Sequence, residues 1–194
     1  MDTKKILALS DTHGDTRNLK TVLRWVQDKA QNGSSIDQPI ADRPIIDRAV
    51  FLGDGLRDLL TAEAATGCSF AWEAVRGNND IPFTQPEAAV FDCNGHRFFL
   101  CHGHRYNVYH NYNTLIAAAK NVQAGVALFG HTHVPFMANV NGVLLINPGS
   151  IGMPRSNIGA TFAIIECSPE QPVRAEFWGI GVGGEMRKVT PYSI

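Results

Sequence analysis

The chain has 194 residues, of which 44% are hydrophobic, so it can form a substantial core, and its length favours a single domain spanning residues 1–194. Its 17 basic and 18 acidic residues are interspersed along the chain and give a net charge of -1. This balance argues against a long nucleic acid or an anionic membrane surface as the partner, and a small molecule is expected instead.

Four cysteines, Cys68, Cys93, Cys101 and Cys167, are widely spaced and form no Cys-x-x-Cys pair. We expect them to be small buried hydrophobic residues. The first residues lead directly into a strand-like run without the apolar stretch of an export signal, so a reduced cytoplasm is the expected location.

The first half of the chain alternates predicted strands and helices. Residues 6–10 predict a strand. Hydrophobic residues then recur at helical spacing, with Asp15 or Thr16 available as the cap: Leu19, Val22, Leu23 and Val26. A polar stretch at 31–44 predicts a surface loop.

A second strand is predicted at 49–52, a helix at 56–65 and a third strand at 69–75. This β-α-β-α-β order predicts a parallel sheet covered by helices, with the polar motifs at the carboxyl ends of the strands.

The second half predicts more antiparallel pairing. Asn94-Gly95 and Asn141-Gly142 each separate two strand-like runs, as in two-residue hairpins. A helix is predicted at 113–122, and further strands are predicted at 126–129, 161–166 and 173–178.

Five short polar motifs follow apolar runs at glycine turns. They are Asp11-Thr12-His13, Gly53-Asp54, Gly77-Asn78-Asn79-Asp80, His102-Gly103-His104 and Gly130-His131-Thr132-His133. In an extended backbone, residues two apart face the same way, so Asp11 with His13, and His131 with His133, are each expected to face one cavity. Imidazoles and carboxylates in this number are typical of a pair of divalent metal ions.

Each motif alone has an ordinary structural explanation. Asp11 can cap a turn beside a surface histidine, Asn78 can occupy a left-handed turn, and His102 or His104 can be a hydrogen-bonded core histidine. The combination in this order favours a metal site. Two ions would keep positive charge beyond that neutralised by Asp11 and Asp54, which would attract anionic substrate oxygens and acidify a bound water.

These motifs resemble those of the calcineurin-like metallophosphoesterases, and the short length and Asn147-Pro148-Gly149-Ser150 resemble the small YfcE-type phosphodiesterase branch. The resemblance implies an α/β fold of the α-β-β-α type, a sandwich of two mixed β-sheets flanked by helices. It also implies hydrolysis of a small phosphate ester by a hydroxide activated between two divalent metals.

The resemblance further implies two ligand sets that share Asp54. The first is Asp11, His13, Asp54 and His133, and the second is Asp54, Asn78, His102 and His131. Manganese is the first expectation for a set of nitrogen and oxygen ligands without thiolate, and zinc, iron and nickel also fit.

One position departs from the wider family. Many members carry a histidine directly after the motif asparagine, where this chain has Asn79, which can donate a hydrogen bond but cannot deliver a proton near neutral pH. The departure shifts the expected activity from monoesters toward diesters or activated esters. Asn79 and His104 are the candidate catalytic residues, although His104 and Asp80 are favoured as residues that orient ligands or shape the turn.

Two other functions stay open from the sequence. The chain could be a metal-binding scaffold with weak or no activity, as in the retromer subunit of similar fold, or a nuclease or cyclic-nucleotide phosphodiesterase. The absence of a basic excess disfavours long nucleic acids, and a homo-oligomer is compatible with the exposed hairpins. Five aromatic residues could stack on a base, but burial in the core is the favoured explanation: Phe70, Trp72, Tyr106, Tyr109 and Tyr112.

Overall fold

The structure is a computed structural model that describes residues 2–27 and 44–194. In chain order its elements are β1 (Lys4–Leu9), α1 (Thr16–Gln27), β2 (Arg48–Phe51), α2 (Leu56–Thr66), β3 (Trp72–Ala74), β4 (Ala88–Cys93), β5 (His96–Cys101), a 3-10 turn (His104–Tyr106), α3 (Asn113–Asn121), β6 (Val126–Leu128), β7 (Pro135–Val140), β8 (Val143–Pro148), β9 (Thr161–Cys167), β10 (Arg174–Ile180) and β11 (Met186–Val189). Apart from Pro44, the loop predicted at 31–44 lies outside the described residues.

The first sheet has the strand order β11-β10-β9-β1-β2-β3. β1, β2 and β3 are parallel, which confirms the predicted β-α-β-α-β unit. β9 pairs antiparallel with β1, so the sheet is mixed. β3 has three residues where a strand at 69–75 was predicted, and β11 was not predicted.

Helix α1 follows the predicted pattern. Its first turn is capped by Asp15, whose Oδ1 accepts a hydrogen bond of 2.8 Å from the Arg17 N–H. The predicted apolar face is buried against the first sheet: Leu19, Val22, Leu23 and Val26. Helix α2 packs beside α1 on the same face.

The second sheet has the order β4-β5-β6-β8-β7. Both predicted hairpins are present, because Cys93 pairs with His96 across Asn94-Gly95, and Val140 pairs with Val143 across Asn141-Gly142. The central residues have φ of 48° and 82° in the first turn and 52° and 82° in the second. Positive φ at both positions is the geometry that Asn-Gly favours in two-residue hairpins.

Three apolar layers hold the fold together. The middle layer joins the two sheets, with Ile6 and Val50 from the first packed in the same cluster as Leu100 and Leu128 from the second. The outer layers pack α1 and α2 on the first sheet and α3 on the second. The predicted α-β-β-α sandwich of two mixed sheets is confirmed.

The cysteines are free thiols, three of them buried, as expected, and Cys93 partly exposed. Within the described parts of the chain, no helix is both long and apolar enough to cross a membrane.

Candidate metal centre

The predicted ligand motifs follow five strands that deliver them to one end of the sandwich. Asp11 and His13 follow β1, Asp54 follows β2, and the two asparagines follow β3. On the second sheet, His102 follows β5, and His131 and His133 follow β6. β1, β2 and β3 are parallel in one sheet, and β5 and β6 are parallel in the other, so each set of carboxyl ends lies at one edge.

Six of the seven predicted ligands converge in two groups. In each group the candidate ligand atoms lie within 4.8 Å of one another. The first group is Asp11, His13 and His133, and the second is Asp54, His102 and His131. Each group therefore combines residues from both sheets.

The first group is compact. Asp11 Oδ1 lies 3.2 Å from His133 Nε2 and 3.6 Å from His13 Nε2. The two imidazole Nε2 atoms are 3.2 Å apart.

The second group is adjacent to the first. Asp54 Oδ2 lies 3.3 Å from His102 Nε2, and His131 Nδ1 lies 3.2 Å from the same nitrogen. Asp54 Oδ2 is also 3.6 Å from His13 Nε2 in the first group. The Asp54 carboxylate thus lies between the two groups.

The hydrogen bonds of two histidines fix which ring nitrogen faces the site. His102 Nδ1 is 2.7 Å from the Leu52 carbonyl oxygen, and His133 Nδ1 is 2.6 Å from that of Met153. A carbonyl oxygen only accepts, so both Nδ1 atoms carry the proton, and in the neutral rings both Nε2 atoms present lone pairs to the site.

Acceptor atoms consequently face one another across the site. Asp11 Oδ1 is buried and has no hydrogen-bond partner among the described residues. Its nearest ring nitrogen, His133 Nε2, presents a lone pair. Such an arrangement is repulsive unless a cation lies between the atoms, because a buried unpaired carboxylate oxygen is costly. The residues fit a cation held by nitrogen and oxygen ligands.

The pKa shifts of Asp11, His13 and His102 report the same attraction for positive charge. Burial alone would raise the pKa of Asp11, but the neighbouring His13 and His133 hold it far below its usual value. Burial alone would lower the pKa of His102, but the hydrogen bond that its charged ring donates to Asp54 and the charges of both aspartates raise it. The Asp11 contact also raises the pKa of His13. Burial and the charge of His102 lower the pKa of His131 to about 4.

The backbone at the ligands is left-handed, so the prediction of extended pairs is wrong. Positive φ values occur at five of the predicted ligands: Asp11 (57°), His13 (46°), Asp54 (56°), His131 (69°) and His133 (61°). Asp11 and His13 still reach the same group, but His131 and His133 separate into different groups. A side chain in this region costs about 1–2 kcal/mol, and such strain concentrates at functional sites.

A family model for the calcineurin-like phosphoesterase superfamily domain matches residues 5–170. The chain belongs to this superfamily. A curated relative, the probable metallophosphoesterase MG207 of Mycoplasma genitalium, is 28% identical over 155 residues, which cover 78% of this chain and 80% of that protein. The resemblance found in the motifs is confirmed.

Three solved structures share the fold. A predicted phosphoesterase of Streptococcus pneumoniae is 24% identical, with a TM-score of 0.71 and coverage of 97% of this chain and 98% of that one. Vacuolar protein sorting 29 of Cryptosporidium parvum is 16% identical, with a TM-score of 0.71 and coverage of 96% of each chain. A novel archaeal phosphodiesterase is 21% identical, with a TM-score of 0.62 and coverage of 88% and 98%. At these identities the similarity shows the fold alone.

Asp80 holds the superfamily's second and third motifs together. One carboxylate oxygen accepts hydrogen bonds from the N–H groups of Asp54 and Gly77, at 2.7 and 2.8 Å. The other accepts from Gly55 and Leu56, both at 2.8 Å. Asp80 is buried and lies at the start of α2, where the helix dipole favours a carboxylate. These bonds fit a residue that shapes the turn, the role the sequence favoured.

Other buried polar residues fix the remaining ligand loops. Ser10 Oγ and the His131 N–H both donate to Asp11 Oδ2, at 2.6 and 3.0 Å. Asn147 Nδ2 donates to the Gly130 carbonyl, and Ser150 Oγ donates to the Asp11 carbonyl. The sequence indicated Asn147 and Ser150 only as family markers and gave no signal for Ser10, which directly precedes the predicted ligand Asp11.

The two adjacent asparagines have different surroundings. Asn79 donates to Asp54 twice, from its N–H to Oδ1 at 2.8 Å and from Nδ2 to Oδ2 at 2.6 Å. Asn78 is exposed, and its side chain has no hydrogen bond to any residue that the structure describes. The structure thus brings the candidate catalytic residue Asn79, rather than the predicted ligand Asn78, into contact with Asp54.

The other candidate catalytic residue, His104, lies beside the second group. Its ring centroid is 5.5 Å from that of His102 and 6.1 Å from that of His131. Burial and the charge of His102 lower its pKa. Its buried Nδ1 has no hydrogen-bond partner in residues 2–27 and 44–194.

Of the five aromatic residues considered for stacking, four pack against the cores. Phe70 and Trp72 contact the first outer layer, and Tyr106 and Tyr112 contact the second. Tyr109 differs, because it is half-exposed and its ring lies 4.9 Å from the ring of His131.

Proposed function

We propose that the protein is a binuclear metal-dependent phosphodiesterase that acts on a small phosphate ester. The observation that carries this proposal is the pair of adjacent carboxylate–imidazole groups with buried acceptor atoms facing one another. Membership of the calcineurin-like phosphoesterase superfamily supports the reaction class.

We assign the ions to the two ligand sets that share Asp54. Asp11, His13, Asp54 and His133 would hold one ion, and Asp54, Asn78, His102 and His131 the other. When bound, two divalent ions would lower the pKa of a coordinated water and neutralise charge on phosphoryl oxygens. The position of Asp54 Oδ2 between the groups supports its role as the shared ligand. Manganese is proposed because the ligands are hard or borderline and contain no thiolate.

The residues of the chain supply position rather than covalent chemistry. Asn79 fixes both carboxylate oxygens of Asp54, and the carbonyls of Leu52 and Met153 fix the rings of His102 and His133. Such contacts hold each ligand atom in place before substrate arrives.

The preference for diesters rests on Asn79. An amide cannot transfer a proton to a leaving group near neutral pH, and the Asn79 amide is also engaged with Asp54. We therefore expect good turnover only where the leaving group departs without protonation.

We assign His104 to supporting the ligand imidazoles. If the acid and base limbs of the pH-rate profile are unchanged in His104→Ala, this role is supported. Loss of one limb would make His104 the proton donor.

The direct test compares bis-p-nitrophenyl phosphate with p-nitrophenyl phosphate. The protein is stripped of metal with a chelator and reconstituted with Mn²⁺, and bound metal is quantified by mass spectrometry. We expect two ions per chain and turnover of both esters, because p-nitrophenolate departs without protonation; a higher kcat/KM for the diester would then reflect selection of the substrate and not of the leaving group. Two tightly bound ions without turnover of either ester would refute the enzyme and favour a protein-binding scaffold.

The asparagines can be separated by metal titration. If Asn78 is a ligand, Asn78→Ala loses affinity for one ion only. Asn79→Ala frees both oxygens of Asp54 and is expected to weaken both ions. The opposite pattern, with Asn78→Ala unchanged and Asn79→Ala losing one ion, would assign the ligand to Asn79.

A further inference from the structure

Arg155 is anchored to the loop that carries the histidine ligands. Its N–H donates to the His133 carbonyl oxygen at 3.1 Å. Two residues earlier, the Met153 carbonyl accepts the proton of His133 Nδ1. The main chain from Met153 to Arg155 is therefore hydrogen-bonded to His133, a proposed ligand of the first group.

The guanidinium is held beside a ligand of the second group by Tyr109. Arg155 Nη1 donates to the Tyr109 hydroxyl, which in turn donates to the His131 carbonyl oxygen at 2.7 Å. The guanidinium carbon also lies 5.9 Å from the centroid of the Tyr109 ring. Arg155 is thus linked to both histidines of the motif. Its main-chain N–H bonds to the His133 carbonyl, and its guanidinium is joined to the His131 carbonyl through Tyr109.

The charge of Arg155 is available to a ligand. The residue is exposed, and it forms no ion pair with an acidic side chain in the described parts of the chain. Arg105, in the turn beside His104, is different because Glu87 binds it at 2.7 and 2.8 Å. A guanidinium has five N–H donors, and only one of those of Arg155 is used by Tyr109.

The anchors also indicate which part of a substrate Arg155 would meet. The guanidinium bonds to the Tyr109 hydroxyl and to no candidate ligand side chain that the structure describes, so it lies outside the two ligand groups and is linked to His131 through Tyr109. An anion at this place is a second group of the substrate, outside the ester bond that is cleaved. A guanidinium binds phosphate oxygens through parallel N–H bonds, and the half-exposed ring of Tyr109 offers contact to the organic part between the two phosphates.

We propose that Arg155, positioned by Tyr109, binds a terminal phosphate on the organic arm of the substrate. The site then favours phosphodiesters that carry such a second phosphate over diesters with uncharged arms. This inference rests on the proposed phosphodiesterase function. It goes beyond it by naming the substrate class and the residue that selects it.

The test uses two diesters with the same leaving group. Thymidine 5′-(p-nitrophenyl phosphate) and its 3′-phosphorylated derivative differ only in the terminal phosphate. We expect the wild type to prefer the derivative, and Arg155→Gln to lose about ten- to a hundredfold in kcat/KM on it, mostly through KM. Arg155→Lys keeps part of the preference, because it retains the charge without the paired donors.

Matched controls distinguish binding of the terminal phosphate by Arg155 from structural support of the loop that carries His131 and His133. Arg105→Ala removes an arginine that is already paired and is expected to change neither substrate. The loss in Arg155→Gln is compared between the two thymidine diesters, and we expect it to be larger on the one that carries the 3′-phosphate. An equal loss on both thymidine diesters would overturn the proposal and make Arg155 a brace of the histidine loop.

A binding measurement is independent of turnover. Calorimetry compares thymidine 3′,5′-bisphosphate with thymidine 5′-phosphate on the Mn²⁺-loaded protein. We expect tighter binding of the bisphosphate to the wild type and equal binding to Arg155→Gln. Equal affinities in the wild type overturn the inference, whereas absent hydrolysis with a retained bisphosphate preference refutes only the proposed activity.

Discussion

Replacement of Asp80 by Asn tests how the ligand turns are held. The carboxylate accepts four backbone N–H bonds between 2.7 and 2.8 Å in a buried position. In Asp80→Asn, one oxygen becomes an NH₂ group that faces two N–H donors, so two of the four bonds are lost. Hydrogen bonds to a buried charge contribute about 1.5–3 kcal/mol each. The free energy of unfolding should therefore fall by about 3–6 kcal/mol, a large part of a typical total of about 5–15 kcal/mol.

The assay is urea unfolding of the metal-free protein, followed by circular dichroism. A thermal melt should show a decrease of roughly 10 °C, because about 1 kcal/mol corresponds to roughly 2–4 °C in a chain of this size. Asp92→Asn is the matched control, since Asp92 pairs with Arg97 at the surface and such pairs contribute at most about 1 kcal/mol. Stability of Asp80→Asn within about 1 kcal/mol of the wild type would refute the argument that Asp80 fixes the turns.

Two further predictions concern the site itself. A Cβ on Gly77 would overlap the Asp54 carboxylate, whereas one on Gly125 meets nothing within 4 Å. Gly77→Ala should therefore lower the affinity for Mn²⁺ at least about tenfold, as measured by calorimetry. Gly125→Ala is the control and should leave this affinity unchanged. Equal Mn²⁺ affinities in the two variants would contradict the expected effect of this overlap. His13 and His102 have raised pKa values in the metal-free protein, so their protonated forms persist toward neutral pH and must lose protons when a metal binds. We expect proton release near pH 7 that disappears as the pH rises above the raised pKa values, seen as a buffer-dependent binding enthalpy; a buffer-independent enthalpy at pH 7 would count against it.

Local signals in the sequence account for most of the predicted elements. The helical spacing from Leu19 to Val26 and the two Asn-Gly turns act within a few residues, so the isolated sequence records them. β11 has no such signal, because it is an edge strand whose residues Arg187 and Lys188 are exposed. Its existence depends on pairing with β10 across the turn.

The ligand geometry depends on contacts between distant segments. Asp11 takes its left-handed conformation while its N–H donates to the Gly53 carbonyl, and the His13 N–H donates to that of Asp54. Both partners lie about 40 residues away in sequence, beyond the reach of a spacing rule. The same holds for Asn79, whose contact with Asp54 depends on the turn that Asp80 fixes.

Each candidate ion would join the two sheets. In the first group, Asp11 and His13 come from the first sheet and His133 from the second; in the second group, Asp54 comes from the first sheet and His102 from the second. A cation bound by both sides stabilises the folded chain by about 2.7 kcal/mol at a hundredfold excess over its dissociation constant. Binding of such a cation and packing of the sheets at this edge would then be one linked equilibrium. Such a linkage would account for the dispersal of the proposed ligands over the chain: the first sheet supplies both carboxylates, the second supplies most of the imidazoles, and a cation between the sheets would balance the buried acceptors.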